Sequence, residues 1–212
     1  MIRRKTMAKA ILIMGKSGTG KSYSLRNFAD GEAGIINVLG KELPFRNAPK
    51  TYDSDNYENI KSALTKSKAS TLVVDDAGYL ITNEFMRRSN EKGYQKFTDL
   101  ANNFFNLIMF IKRDLSDDKV VYLVMHEDEK EAGEVRPKTI GKLLDEKISI
   151  EGMFTIVLRS HKTQDGYFFR TQSDGYDVAK SPADMFDAEE IDNDLKQVND
   201  IIREYYGIKE AE

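Results

Sequence analysis

Residues 15–22 read Gly15-Lys16-Ser17-Gly18-Thr19-Gly20-Lys21-Ser22, the G-x-x-x-x-G-K-[ST] spacing known as Walker A. Each position has a chemical reason. Gly15, Gly18 and Gly20 let the backbone curl until its N–H groups point at phosphate oxygens, where a side chain would obstruct. Lys21 is placed to reach the β- and γ-phosphates, and the Ser22 hydroxyl to ligate Mg²⁺. A helix beginning at Ser22 would add the partial positive charge of its amino terminus. Tyr23 follows directly and is grouped with Lys16, Ser17 and Thr19 among the cofactor-binding positions.

A second motif, Leu72-Val73-Val74-Asp75-Asp76, ends an apolar run in two acids. It puts a carboxylate at the carboxyl end of a buried strand, beside the phosphate loop of a doubly wound sheet. Asp75 is expected to hold Mg²⁺ with Ser22, directly or through water, as a Walker B acid. Asp76 either polarises the attacking water or caps the strand and opens the Ala77-Gly78 turn. A later apolar strand ends in His126, whose neutral imidazole would donate one hydrogen bond to a phosphate or to water. The Glu127 to Glu131 run reads as a solvated acidic loop. Beyond it, a loop with Gly133 and Pro137 gathers Arg136, Lys138 and Lys142, a basic set suited to the phosphates of single-stranded DNA. The two acidic and glycine-rich motifs together imply ATP and Mg²⁺ as cofactors.

The elements that must position these residues alternate. Ala10 to Met14 predicts a first buried strand, Ser22 to Phe28 a short helix, and Ile35 to Leu39 a second strand broken by Gly40 and Pro44. Tyr57, Ile60, Ala63 and Leu64 recur at helical spacing, and Thr71 to Val74 predicts a third strand. A long helix is expected over Tyr94 to Arg113, with Phe97, Leu100, Ala101, Phe104, Phe105, Ile108 and Ile111 on its apolar face. Val120 to Met125 is a fourth strand, and Phe154 to Leu158 with Tyr167 to Arg170 a terminal pair. The fold class is therefore α/β, a mostly parallel central sheet flanked by helices, with an antiparallel hairpin at one edge. The chain divides into a core over 1–186 and an acidic helical tail over 187–212.

Composition narrows the chemistry. The 212 residues fit one α/β domain, and 32% charged residues give a solvated surface. Without cysteine there is no disulfide, thiolate nucleophile or Cys-based zinc site. His126-Glu-Asp-Glu-Lys130 fails the H-E-x-x-H zinc spacing at its last residue. Arg3, Arg4, Lys5 and Lys9 precede an apolar run too short for a signal sequence, and no segment approaches a membrane span, so no membrane partner is expected. A net charge of −3 leaves nucleic-acid contact to a local patch.

The order of parts resembles the RecA-like P-loop core ATPases, most closely the compact nucleotide-binding proteins of tailed bacteriophages, often described as AAA-family ATPases and associated with single-strand annealing and recombination modules. The resemblance spans roughly Ala10 to Phe186. It rests on Gly15 to Ser22, on Thr71-Leu-Val-Val-Asp75-Asp76, on Val124-Met125-His126, and on Gly141-Lys142 leading to Ile156-Val-Leu-Arg159 and Phe168-Phe-Arg170. It implies a hydrolase acting in phage DNA recombination or replication, a homo-oligomer, and a place in the cytoplasm of a bacterial host. In that family the strand after the basic loop and its hairpin lie near a neighbouring subunit's nucleotide. Arg159 and Lys162 are thereby implied as cations acting in trans, as an arginine finger does.

Two departures stand out. RecA-type enzymes carry a catalytic glutamate just after the second strand, whereas Val38-Leu-Gly-Lys-Glu42 offers Glu42 at a displaced position, so the base is Glu42, Asp76 or neither. Beyond the core there is no separate DNA-binding domain or zinc module. A nucleotide-switched recruitment module with slow hydrolysis is the competing class: Lys16-Ser-Gly-Thr-Gly-Lys21-Ser22 nearly fits the K-G-G-x-x-K-[ST] loop of ParA/MinD-type ATPases, with Ser17 in place of the second residue's glycine. A small-molecule kinase is a third reading, although Arg87-Arg88 makes a poor lid.

Overall fold

Apolar residues at successive positions of a strand require cover on both faces. The computed structural model, which describes residues 7–130, 133–141 and 143–209, shows how that cover is built. The strands are β1 (Lys9–Gly15), β2 (Ala33–Asn37), β3 (Thr51–Asp53), β4 (Thr71–Asp75), β5 (Val120–Glu129), β6 (Val135–Pro137), β7 (Ile156–Lys162), β8 (Tyr167–Arg170) and β9 (Glu190–Asp192). Their order across the sheet is β3-β2-β4-β5-β1-β7-β8-β9, with β6 paired to β5 off this path. The strands from β3 to β7 pair in parallel, and β8, β9 and β6 pair antiparallel. This is an α/β architecture with a mostly parallel central sheet flanked by helices.

Alternation sorts each strand between two layers. Leu12, Met14, Leu72, Val74, Leu123 and Met125 face one way, against α1 (Tyr57–Lys66), α2 (Tyr79–Arg87) and α3 (Gln95–Asp114). Ile11, Ile13, Val73, Tyr122, Val124 and Leu158 face the other, against the 3₁₀ helix Ser22–Asn27 and α4 (Leu195–Tyr206). In α3, Phe105 is exposed and Leu107 takes a core position.

Several expected boundaries shift. The helix after the phosphate loop is a six-residue 3₁₀ turn, so little macrodipole stands behind the loop. The strand carrying His126 runs on to Glu129, because β6 pairs with Glu127 to Glu129 and turns the expected acidic loop into a ladder. The helix α2 begins directly after the Asp76 turn and was not signalled by its neighbours. Residues after 186 are not helical throughout, and they do not stand apart from the core. They supply β9 and then α4, whose Leu195, Val198 and Ile202 are buried at on the order of 1.5–3 kcal/mol each. Asn199 accepts hydrogen bonds from Thr71 and Tyr122, both at 3.2 Å, tying the helix to the sheet. Asp194 caps α4 by accepting from the Lys196 and Gln197 amides, and Gly207 closes it at φ 62°.

Candidate functional site

The register aligns the carboxyl ends of six parallel strands along one edge. Gly15 faces His126 across β1 and β5, Met14 faces Arg159, and Asn37 faces Asp75. In open α/β sheets this edge is where ligands sit. The acid strand β4 is not adjacent to β1, since β5 lies between them. The two motifs still meet: Ser22 Oγ donates to Asp75 Oδ2 at 2.8 Å and lies 3.0 Å from Oδ1.

The loop is shaped by its glycines and braced by β7. Gly20 has φ 96°, a region that side chains rarely enter, and a Cβ there would meet the Tyr167 ring at 2.7 Å. A Cβ on Gly15 would meet the Ser160 carbonyl at 2.6 Å. Ser160 Oγ donates to the Thr19 carbonyl at 2.6 Å, and Thr19 Oγ1 donates to the Lys16 carbonyl at 2.8 Å. Lys21 is buried, with Nζ donating to the Gly15 and Lys16 carbonyls at 2.8 Å each. Burial lowers its pKa to about 8, against the opposing pull of Asp76 and Asp75.

Asp75 is fully buried, and burial followed by the Asp76 charge raises its pKa to about 6, with the Ser22 bond opposing. Asp76 adopts φ 58°, an uncommon conformation for a residue with a side chain. Its carboxylate is 1% exposed, with Oδ1 3.5 Å from His126 Nε2 and Oδ2 in ion-pair contact with the Lys41 ammonium. Burial pushes this group up, but His126 and Lys41 outweigh it and hold the carboxyl below its ordinary value. The Lys41 ammonium loses by burial and gains more from Asp76, so its pKa is raised.

Lys41 is held there by its own loop. Asn37, buried at the end of β2, donates from Nδ2 to the Lys41 carbonyl at 2.5 Å and accepts the Gly40 amide at 3.0 Å. Val38 N–H reaches the Asp75 carbonyl at 3.2 Å, which binds the end of β2 to the end of β4.

A cleft of about 590 Å³ runs over these groups, lined by Ser17, Gly18, Gly20, Lys21, Ser22, Tyr23, Lys41, Glu42, Pro44, Asp76, His126 and Tyr167. That volume suits a ligand of nucleotide size. A second cleft of about 610 Å³ adjoins it, sharing Ser17, Lys41 and His126 and adding Tyr79, Thr82, Glu127 and Lys138. Among the sequence-predicted residues, the structure thus brings together the loop from Ser17 to Tyr23 with Glu42, Asp76 and His126. Glu42 is exposed on the cleft lining, whereas Asp76 is buried beside Asp75. The Tyr23 ring lies 5.3 Å from that of Tyr167 and 6.4 Å from that of Phe45.

Other expectations change. Arg159 donates to both Glu127 oxygens at 2.9 and 3.0 Å and to Asp177 at 3.2 Å, with a largely buried side chain. Three of its five N–H donors are committed to two carboxylates of its own chain, which already balance its charge. Lys162 is exposed and lies 5.0 Å above the Tyr167 ring. Lys16 is exposed and pairs with Glu129 at 3.0 Å. In the basic loop, Arg136 is tied to Glu134 at 2.8 Å and Glu151 at 3.6 Å, Lys138 is exposed, and Lys142 lies outside the described residues.

Among the described residues no cluster of three or more His, Asp or Glu side chains can cage a metal. The Ser22 hydroxyl and the Asp75 carboxylate nevertheless fit Mg²⁺, which takes one or two protein oxygens and completes its octahedron with phosphates and water. No helix among the described residues is long and apolar enough to cross a membrane. No protein-family model matches the chain, and a search of curated proteins finds no match.

Lys41 escaped the sequence reading. The usable signal was topological: two neighbouring parallel strands ending in register bring the residues just after them together, so Lys41 after β2 meets Asp76 after β4.

Proposed function

We propose that this chain is a Mg²⁺-dependent ATPase with a RecA-like P-loop core, acting in phage DNA recombination or replication. The observation that carries the reading is the hydrogen bond of Ser22 to Asp75 across 53 residues of sequence, beside the buried Lys21. A hydroxyl and a carboxylate meeting at the foot of a glycine loop are the two protein ligands that a triphosphate-bound Mg²⁺ needs. When bound, the metal would neutralise charge on the β- and γ-phosphates. Lys21 and the loop amides would hold those phosphates, and Asp76 or Glu42 would orient the attacking water. The order β4-β5-β1, with the polar His126 on the intervening strand opposite Gly15, is compatible with the RecA-like arrangement.

The role in DNA metabolism rests on the resemblance and on exposed Lys138, since Arg136 is engaged elsewhere. Homo-oligomerisation rests on the resemblance with Lys162, since Arg159 is committed in cis.

The test is phosphate release and equilibrium binding of ATP by the full chain and by Lys21→Ala, with and without single-stranded DNA, together with mass by light scattering. Intact binding and hydrolysis in Lys21→Ala would overturn the assignment. A severalfold acceleration with single-stranded DNA supports the recombination role. A second reading, a nucleotide-switched recruitment module with slow hydrolysis, is favoured by one observation: the Asp76 carboxylate is already clasped by Lys41 and His126. Unchanged turnover with DNA is its expected signature. Transfer of phosphate to a small acceptor would instead indicate a kinase.

A further inference from the structure

We infer that Lys41 is the cation that reads the terminal phosphate, leaving Asp76 for the γ-phosphate when a triphosphate is bound and returning to it with a diphosphate. The inference rests on the nucleotide reading of the cleft and assigns a role that neither motif supplies.

Four observations carry it. The first is elimination among the cations of the described residues: those lining the phosphate cleft are Lys21 and Lys41, beside the imidazole of His126. Lys16 pairs with Glu129, and Arg159 is held by Glu127 and Asp177. The second is that Lys41 is built into place from below, its backbone fixed by buried Asn37 on a loop bound to the end of β4. The third is mobility of the right kind. The Lys41 side chain is 49% exposed while its partner carboxylate is 1% exposed, so the ammonium can leave along its flexible stem and the carboxylate cannot. The fourth is placement, since Lys41 lines both clefts and stands where they join.

The driving force is charge. A terminal phosphate carries roughly two negative charges where a carboxylate carries one, and the attraction scales with that product at equal distance. A diphosphate presents no γ-group, so the Asp76 contact persists. With a triphosphate, the departure of Lys41 does two things at once. It adds a charge-assisted contact to the γ-phosphate, and it frees Asp76 Oδ2 to accept a hydrogen bond from water, with His126 still beside Oδ1. Water oxygen then forms the new P–O bond while the β–γ bridging P–O bond breaks. The bond's electron pair leaves with the ADP oxygen, and the water's proton passes to the Asp76 carboxylate. Lys41 therefore stabilises charge within its own chain, the service that Arg159 is not free to give to a neighbour.

The experiment compares the full chain with Lys41→Ala and Lys41→Arg, each checked by thermal melting, for binding of ADP and of a non-hydrolysable ATP analogue with Mg²⁺, and for turnover. Lys41→Ala should bind ADP within about twofold of the parent, since the loop and Lys21 are intact. It should lose about tenfold or more of its affinity for the triphosphate analogue and about 10²-fold in turnover, in the range of one removed charge-stabilising donor. Lys41→Arg should recover part of both. A readout free of variants is amine acetylation followed by mass spectrometry, in which the triphosphate analogue protects Lys41 beyond any protection by ADP. Equal triphosphate preference and turnover in Lys41→Ala, or equal protection by the two nucleotides, would overturn the role of Lys41 while leaving the ATPase reading intact. Absence of nucleotide binding by the parent chain would instead overturn the ATPase reading, and this inference with it.

Discussion

Two clusters of buried charge lie side by side on the same edge of the sheet, and they are built to opposite ends. In one, Arg159 is gripped by Glu127 and Asp177 with three hydrogen bonds, two of them a bidentate fork. Its guanidinium is raised further above its ordinary pKa by those bonds, against burial. In the other, Lys21 and Asp75 are each pushed toward their neutral forms by burial, and Asp76 keeps its charge through the half-exposed Lys41 and nearby His126. The first cluster is satisfied from within and joins β5, β7 and the segment around Asp177. The second is left with charges that an anionic, metal-bearing ligand would settle. Proximity to a phosphate loop does not by itself make a cation catalytic, because what decides is whether its donors are already spent.

The largest expected effect breaks the closed cluster. Arg159→Ala leaves two buried carboxylates unpaired and should cost about 3–5 kcal/mol, read as a fall in Tm of roughly 10 °C. Mixing this variant with Lys21→Ala should restore no turnover. If Arg159→Ala keeps its Tm and the mixture regains activity, the guanidinium serves a neighbour after all. Next in size, Lys21→Ala should lower ATP turnover by on the order of 10²–10³-fold with little change in Tm, the reverse of the Arg159 result.

Asp75→Asn sharpens the contrast from the other side. It removes a buried charge beside Asp76, so it should raise Tm in metal-free buffer by a few degrees while abolishing Mg²⁺-dependent turnover. The pH dependence follows with its sign. Burial and the Asp76 charge push Asp75 up to about 6 in the folded chain from an ordinary 3.8, so the folded state holds the proton longer and stability falls as pH rises through that interval. Lys21 titrates at about 8 against 10.5, so the unfolded state holds its proton longer and stability is regained as pH rises from about 8 to 10.5. Denaturation in the presence of a chelator should show both slopes, the acid one absent in Asp75→Asn and the alkaline one absent in Lys21→Met. The smallest effect belongs to the surface: Lys16→Ala breaks an exposed pair with Glu129 and should change stability by at most about 0.5 kcal/mol. A tenfold loss of turnover there would favour the ParA/MinD-type reading.

Legibility in the sequence tracked how local the cause was. The glycine loop from Gly15 to Ser22 after β1 and the acid-ended run from Leu72 to Asp76 were readable because their shape is written in consecutive residues, and the long helix α3 because its period persists over five turns or more. The ends of the sheet were harder. Nothing near Glu127 announces a buried acid, since its partner Arg159 comes 32 residues later on a strand placed two positions away in the sheet. Nothing local sets Lys41 apart from its neighbour Glu42 in the loop between Gly40 and Pro44. The strand order that sets Lys41 against Asp76 is a property of the assembled sheet alone.

The placement of β1 also bears on how the chain is made. It precedes every other described strand in the chain, yet its neighbours are β5 and β7, with Val120 opposite Lys9 and Ile156 opposite Ile11. The loop that follows β1 waits longer still, since Ser160 braces Thr19 while Asn193 and Asp194 hold Ser160, Arg26 and Asn27. At a translation rate of about 5–20 residues per second, the phosphate loop remains without its supports for on the order of ten seconds or more after it is made. A ribosome-bound chain that stops short of Asp194 would carry the whole Walker A sequence without the braces that hold its shape.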